Sequence, residues 1–189
     1  IPFETLSNMA RFLFGAGQDT TSHLISMSIR MLAERPELQQ RLRADPSRIP
    51  DFIEEVLRFD PPVKVAYRLA LHDTQLAGVD IAAGSVMTAC LSGANHDPAQ
   101  FENPEEFDID RPGLRDHMSF SKGLHACPGA PLGRMEARIA LERILASVGP
   151  LSRAGYARPR RRYSCQFALA RLECADPGAG WRSHGGVRA

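Results

Sequence analysis

The run Phe120 to Arg134, FSKGLHACPGAPLGR, places one cysteine, Cys127, in a glycine- and proline-shaped loop directly before an amphipathic helix. His125 lies two residues before it and Arg134 seven after. A free thiol has a pKa of about 8.5, and a helix N-terminus lowers it by favouring the anion. Pro128 has no amide to offer. Those of Gly129 and Ala130 are placed to point at sulfur, and such bonds tune how strongly a thiolate pushes electron density into a metal. Gly123 and Gly129 let the backbone fold tightly beneath a planar ring. The chemistry predicted is a single thiolate presented to a large flat cofactor.

The other cysteines, Cys90, Cys165 and Cys174, form no CxxC pair and match no zinc ribbon or finger spacing. They read as small buried or half-buried thiols in a reduced, cytoplasmic compartment. His125 and Cys127 have no PCxxC or HExxH partner motif, which argues against a zinc enzyme.

A second constellation is Ala16-Gly17-Gln18-Asp19-Thr20-Thr21. Glycine inside a helix costs about 1 kcal/mol relative to alanine, and this segment has Gly15 as well as Gly17. Threonine hydroxyls bond back to the preceding turn and loosen the ladder. One reading is a helix crossing that needs small residues. The other is a widened groove for a diatomic ligand and water, with Asp19 and Thr20 as an acid and an alcohol poised to deliver protons. Glu55 and Arg58, three apart on one helix face, form an ion pair of a kind that is usually surface decoration. Arg68, in a strand flanked by apolar residues, is expected to be buried against a specific anion.

Helices must carry most of these groups. Apolar residues at three- and four-residue steps predict one long helix over residues 3–34. Pro36 opens a second, PELQQRLRAD, that ends before Pro46, and a third runs from about Pro50 to Phe59, stopped by Pro61-Pro62. Strands are expected at Val63 to Leu71 and Val86 to Leu91, with turns around Leu76 to Gly78 and Ala82 to Gly84. Residues 95–124 form a long irregular connection, a length that is usually functional. The last clear helix spans about Pro131 to Ser147, and Tyr163 to Leu172 is a weak strand candidate. The fold class is mainly α with a small β region.

Composition sets the outer bounds. With 43% hydrophobic and 24% charged residues in 189, the chain reads as one soluble globular domain. No apolar run is long enough to span a bilayer, and no basic-then-apolar leader opens the chain. It enters a helix directly from Ile1, so it is expected to be the tail end of something longer. The net charge is +1, yet residues 151–189 hold eight arginines against Glu173 and Asp176. A basic tail on a mildly acidic body argues against nucleic-acid binding.

Together these pieces resemble the cytochrome P-450 family, the haem-thiolate monooxygenases. Its cysteine signature, F-G-x-G-x-H/R-x-C-x-G-x-x-L-A-R-x-E, is matched by Phe120, Gly123, His125, Cys127, Gly129, Leu132, Arg134 and Glu136. Ser121 replaces its first glycine and Gly133 its usual alanine. Ala16-Gly17-x-Asp19-Thr20-Thr21 is similar to the family's oxygen-activation motif. Glu55 and Arg58 match its E-x-x-R, and Arg111 in FDIDRP matches the arginine that completes that triad. The GANHDP and FENPEEFDIDRP segments resemble soluble bacterial members.

The resemblance covers residues 3–148 well and 149–189 poorly, and implies the C-terminal half of the fold, one partial domain over 1–189. It implies haem b with Cys127 as axial thiolate, and Phe120, Gly129, Ala16 and Gly17 in contact with the cofactor. Asp19 and Thr20 would deliver protons during O2 activation, and His125 and Arg68 would hold the haem propionates. Glu55, Arg58 and Arg111 would lock the surrounding architecture, and Val63, Val65 and Ala66 would line the substrate pocket. A hydrophobic substrate and a ferredoxin-type electron donor are implied. The alternative is a truncated, non-catalytic remnant, or a haem-free interaction module with a large exposed apolar patch.

Overall fold

Proline placement divides the helical part of the chain. In the computed structural model, which describes residues 1–153, α1 spans Phe3–Glu34 and α2 spans Pro36–Ala44. Arg35 breaks the helical path between them at φ −134°, and Pro36 restarts it in the first turn of α2, where a missing amide is harmless. Asp45 ends α2 and accepts the Ser47 amide at 3.1 Å, capping a short turn over Pro46–Arg48. Next comes α3 (Ile49–Phe59), which stops at Asp60 before Pro61-Pro62.

Helix α3 is buried on every side from Phe52 to Arg58, including Glu54, Glu55 and Arg58. It is the centre of the molecule. Leu24, Met31 and Leu32 of α1 pack there with Leu38 and Leu42 of α2, Phe52, Ile53, Val56 and Leu57 of α3, and Ala137, Leu141 and Leu145 of α5 (Ala130–Ser147). A helix buried all round leaves its charges no solvent, so each must find a partner inside.

The β region is two antiparallel pairs. Strand β1 (Val65–Leu69) pairs with β4 (Val86–Cys90), from Val65 opposite Cys90 to Leu69 opposite Val86. Between them β2 (Thr74–Leu76) and β3 (Val79–Ile81) form a hairpin in which Leu76 faces Val79. Its two-residue turn puts Ala77 at φ 48° and Gly78 at φ 82°, the left-handed pair whose twist suits adjoining strands. The sequence marked this turn but not its strands. Leu91 does not extend β4; it opens a short helix, α4 (Leu91–Ala94). Residues 95–124 contain no strand and only short turns, as expected of an irregular connection. The strand candidate at Tyr163 to Leu172, Cys165, Cys174 and the basic tail lie outside the described residues. Among the described residues no helix is long and apolar enough to cross a membrane.

Candidate functional site

Cys127 is an exposed free thiol. Its loop leaves a short turn at Gly123–His125, where Ala126 N–H donates to Gly123 O at 3.0 Å, and enters α5 at Ala130. Cys127 N–H reaches back to Phe120 O at 2.8 Å, closing the loop on itself. Ser121 sits at φ 58° and Gly123 at φ 70°, both in the left-handed region. That conformation explains why glycine suits position 121, and Ser121 bears a cost of about 1–2 kcal/mol there. The expected amide contacts to sulfur are not formed. Ala130 N–H donates instead to the backbone carbonyl of Cys127 at 3.3 Å. The sulfur that does accept an amide is that of Cys90, from Gly93 N–H at 3.3 Å, and Cys90 is exposed rather than buried.

The second motif lies on α1, which packs against α5. Helix α1 is unbroken through Gly15 and Gly17, and a Cβ at either glycine would meet nothing within 4 Å. Neither position is therefore a helix crossing within the described residues. The close approach lies further on, where a Cβ on Gly133 would stand 3.6 Å from Thr21 Oγ1. Upstream of that contact both segments leave the core: Ala16, Gly17 and Asp19 are exposed, and so is every residue from 122 to 129. Thr20 Oγ1 donates to Ala16 O at 2.7 Å, the back-bond expected of a helical threonine.

Glu55, Arg58 and Arg111 come together in the interior. Arg58 grips Glu55 through two bonds of 2.8 Å, both side chains wholly buried. The same guanidinium donates to the carbonyls of Asn95 (3.0 Å), Pro104 (2.9 Å) and Glu106 (3.0 Å), so one side chain ties down the irregular connection. Arg111 Nε lies 3.6 Å from Glu55 as an ion pair, while its terminal nitrogens donate to the Glu102, Asn103 and Glu106 carbonyls. Asp108 N–H completes the Glu55 shell at 2.9 Å.

Arg68 is different. It is exposed on β1 and donates to the neighbouring Tyr67 carbonyl at 2.8 Å, so the expected burial is not observed. Tyr67 and Leu69 on either side of it are exposed as well, so the apolar residues that flank it in sequence form no buried surround. His125 and Val63 are also exposed, while Phe120, Val65 and Ala66 are half-buried.

One cluster joins Arg134, which the sequence marks only as part of the cysteine motif, to Glu54 and His117, which it does not mark. Glu54 accepts two bonds from Arg134 (2.6 and 2.9 Å) and lies 3.0 Å from His117 Nε2. Ser119 N–H donates to His117 Nδ1 at 3.2 Å, which leaves Nε2 to carry the hydrogen toward Glu54. Burial opposes ionisation of Glu54, but the hydrogen bonds from His117 and Arg134 and the arginine charge outweigh it. They push its carboxyl down to about 2 from 4.5. The Glu54 bonds and charge in turn raise the Arg134 pKa, against a smaller opposing effect of burial.

The donor chemistry fits haem. Among the described residues no group of three or more His, Cys, Asp or Glu side chains could cage a metal. A lone exposed thiol suits iron already held by a macrocycle, which needs one axial ligand from the protein. Exposed Leu124 and Leu132 beside the thiol, and Phe12 and Leu13 on α1, offer apolar surface for a large ring to cover.

The family model for Cytochrome P450 matches residues 49–147. "Cytochrome P450 144" of Mycobacterium tuberculosis is 46% identical over 133 residues, 70% of this chain and 31% of that protein. "Biotin biosynthesis cytochrome P450" of Bacillus subtilis is 38% identical over 158 residues, 84% of this chain and 39% of that one. Among solved structures, substrate-free cytochrome P450 CYP150A6 of Mycobacterium marinum is 53% identical at TM-score 0.70, covering 71% of this chain and 33% of that one. CYP109E1 of Bacillus megaterium in complex with corticosterone is 38% identical at TM-score 0.74, covering 77% and 39%. The chain thus spans 31–39% of the length of these curated relatives. With the family model matching more than half its residues, and with this fold, the chain belongs to the cytochrome P450 family.

Proposed function

We propose that this chain carries the thiolate side and the oxygen side of a haem b monooxygenase acting on a hydrophobic organic molecule. The observation that carries the reading is Cys127, an exposed free thiol on a self-closed loop at the start of α5, with the Asp19–Thr20 turn of α1 upstream of the Thr21–Gly133 contact. Bound haem supplies the capacity to reduce O2 at iron, so that one oxygen atom enters a C–H or C=C bond and the other leaves as water. The balance requires two electrons and two protons, and a ferredoxin-type carrier docking on the cysteine side fits the electron supply.

The protein's own residues have separable tasks. Cys127, as thiolate, would be the protein's ligand to the haem iron. Thr20 has given its hydroxyl hydrogen to Ala16 O, so its free lone pairs face outward as acceptors. It therefore holds a water or another proton donor in place, and exposed Asp19 passes protons in from solvent. His125 and Arg68, both exposed cations or donors, hold the propionates, while Phe120, Gly129, Ala16 and Gly17 contact the ring. Val63, Val65 and Ala66 line the substrate side. The relative bound to corticosterone favours a hydrophobic substrate class.

The test is haem titration into the 189-residue chain, followed by reduction and addition of carbon monoxide. A red-shifted, thiolate-type Soret band is expected, lost in Cys127→Ala. A chain that takes up no haem contradicts the reading. It would favour a haem-free interaction module, for which exposed Phe3, Phe12, Leu13 and Phe14 supply the apolar surface.

A further inference from the structure

Asn95, in the GANHDP segment, has no task in the function above. It is wholly buried where the irregular connection leaves α4. Its backbone is tied on both sides. Its N–H donates to Leu91 O at 3.1 Å, and its carbonyl accepts from Arg58 at 3.0 Å. The side chain reaches 23 residues onward, where Oδ1 accepts the Met118 N–H at 2.7 Å. Nδ2 donates to Ser119 Oγ at 2.9 Å. A backbone N–H can only donate, which turns the carboxamide oxygen toward Met118. Ser119 Oγ passes its own hydrogen to Leu57 O of α3 at 2.6 Å. Met118 and Ser119 are thus pinned to α3 and to the start of the connection.

The pinned pair is the base of the cysteine loop. Met118 O accepts the Ser121 N–H at 2.8 Å, and Phe120 O accepts the Cys127 N–H at 2.8 Å. Every residue from 122 to 129 is exposed, so no buried side chain of the loop itself locates Cys127. Its place is inherited from the backbone of 118–121 and from the start of α5. Within that base Ser121 holds φ 58°, a conformation that persists only where the surroundings over-determine it.

We propose that Asn95 is a positioning residue for the cysteine loop. With Ser119 it holds the turn from which Phe120 O grips the Cys127 amide. The competing anchor is the half-buried Phe120 ring, which lies 4.5 Å from the Arg134 guanidinium. The value of this hold for ligating iron rests on the haem reading, but the hold itself is a property of the haem-free chain.

Amide hydrogen exchange, resolved by residue in the isotope-labelled, haem-free 189-residue chain, tests this without depending on haem uptake. Asn95→Ala should speed exchange of the Cys127 amide about tenfold, and Ser119→Ala about fivefold. Gln39→Ala is the control. Gln39 holds Leu151 through bonds of 3.1 and 2.8 Å and takes no part in the loop's base. Its loss should speed exchange of core amides such as that of Leu141 and leave Cys127 unchanged.

An unchanged Cys127 rate in Asn95→Ala, with the Leu141 rate raised, means that Asn95 holds the core and that the Phe120 ring anchors the loop. That result overturns the proposal. Equal acceleration of Cys127 in Gln39→Ala also overturns it, because the loop would then open only with the whole molecule. If Asn95→Ala does not fold, Ser119→Ala decides the matter. It deletes one hydroxyl, and an unchanged Cys127 rate there contradicts the proposal.

Discussion

Two neighbouring carboxylates on α3, Glu54 and Glu55, are both buried and face different parts of the chain. Glu55 binds Arg58, whose guanidinium holds three backbone carbonyls of the connection. Replacing Arg58 with Met strands a buried carboxylate and those carbonyls, and should cost about 3–5 kcal/mol, measured by urea unfolding. Arg58→Lys should recover little, since an ammonium cannot reproduce the fork. Glu54 gives a pH-dependent counterpart. Its carboxyl is held at about 2, below the ordinary 4.5, so it stabilises the fold above pH 4.5 and loses that effect as pH falls from 4.5 to 2. The stability gap between wild type and Glu54→Gln should be about 3 kcal/mol at neutral pH, closing across that window. A gap independent of pH would show that Glu54 is not ionised in the fold. At this scale the sequence is legible only where spacing carries information. Glu55 and Arg58 announce a pair, but their burial depends on α3 being enclosed by three other elements. The Glu54–His117–Arg134 cluster joins positions 54, 117 and 134, and no periodicity connects those.

Among the elements, α1, α2, α3 and α5 were readable because prolines mark their ends and apolar residues repeat at helical steps. The hairpin β2–β3 was not, because its strands are three residues long and all but Ile81 are exposed, leaving no alternation to detect. The α1–α5 contact carries no sequence signal for a related reason. Gly15 and Gly17 look like a crossing in one dimension, yet the small residue used is Gly133, against Thr21. A methyl at position 133 would stand at ordinary van der Waals distance from Thr21 Oγ1. Gly133→Ala should therefore keep the contact and stabilise α5 by up to about 1 kcal/mol through helix propensity, read as a rise in the urea midpoint. A fall instead would mean that α1 and α5 approach more closely than this geometry describes.

At the scale of the whole molecule, α1 has two different halves. Its downstream half supplies Leu24, Met31 and Leu32 to the core, while Phe3, Phe12, Leu13 and Phe14 upstream are open to solvent. The cysteine loop is exposed in the same way, up to buried Ala130 at the start of α5. Two segments that leave the core before the Thr21–Gly133 approach offer the exposed surface that a large apolar ring with one protein ligand would need. The central claim is that Cys127, of the four cysteines, supplies that ligand. Resonance Raman spectroscopy of the haem-loaded ferric chain, prepared with ordinary and with heavy-sulfur cysteine, tests it most directly. The account predicts an iron–sulfur stretching band that shifts with the isotope and disappears in Cys127→Ser. A haem-loaded chain with no isotope-sensitive band, or with a band that survives Cys127→Ser, would contradict it.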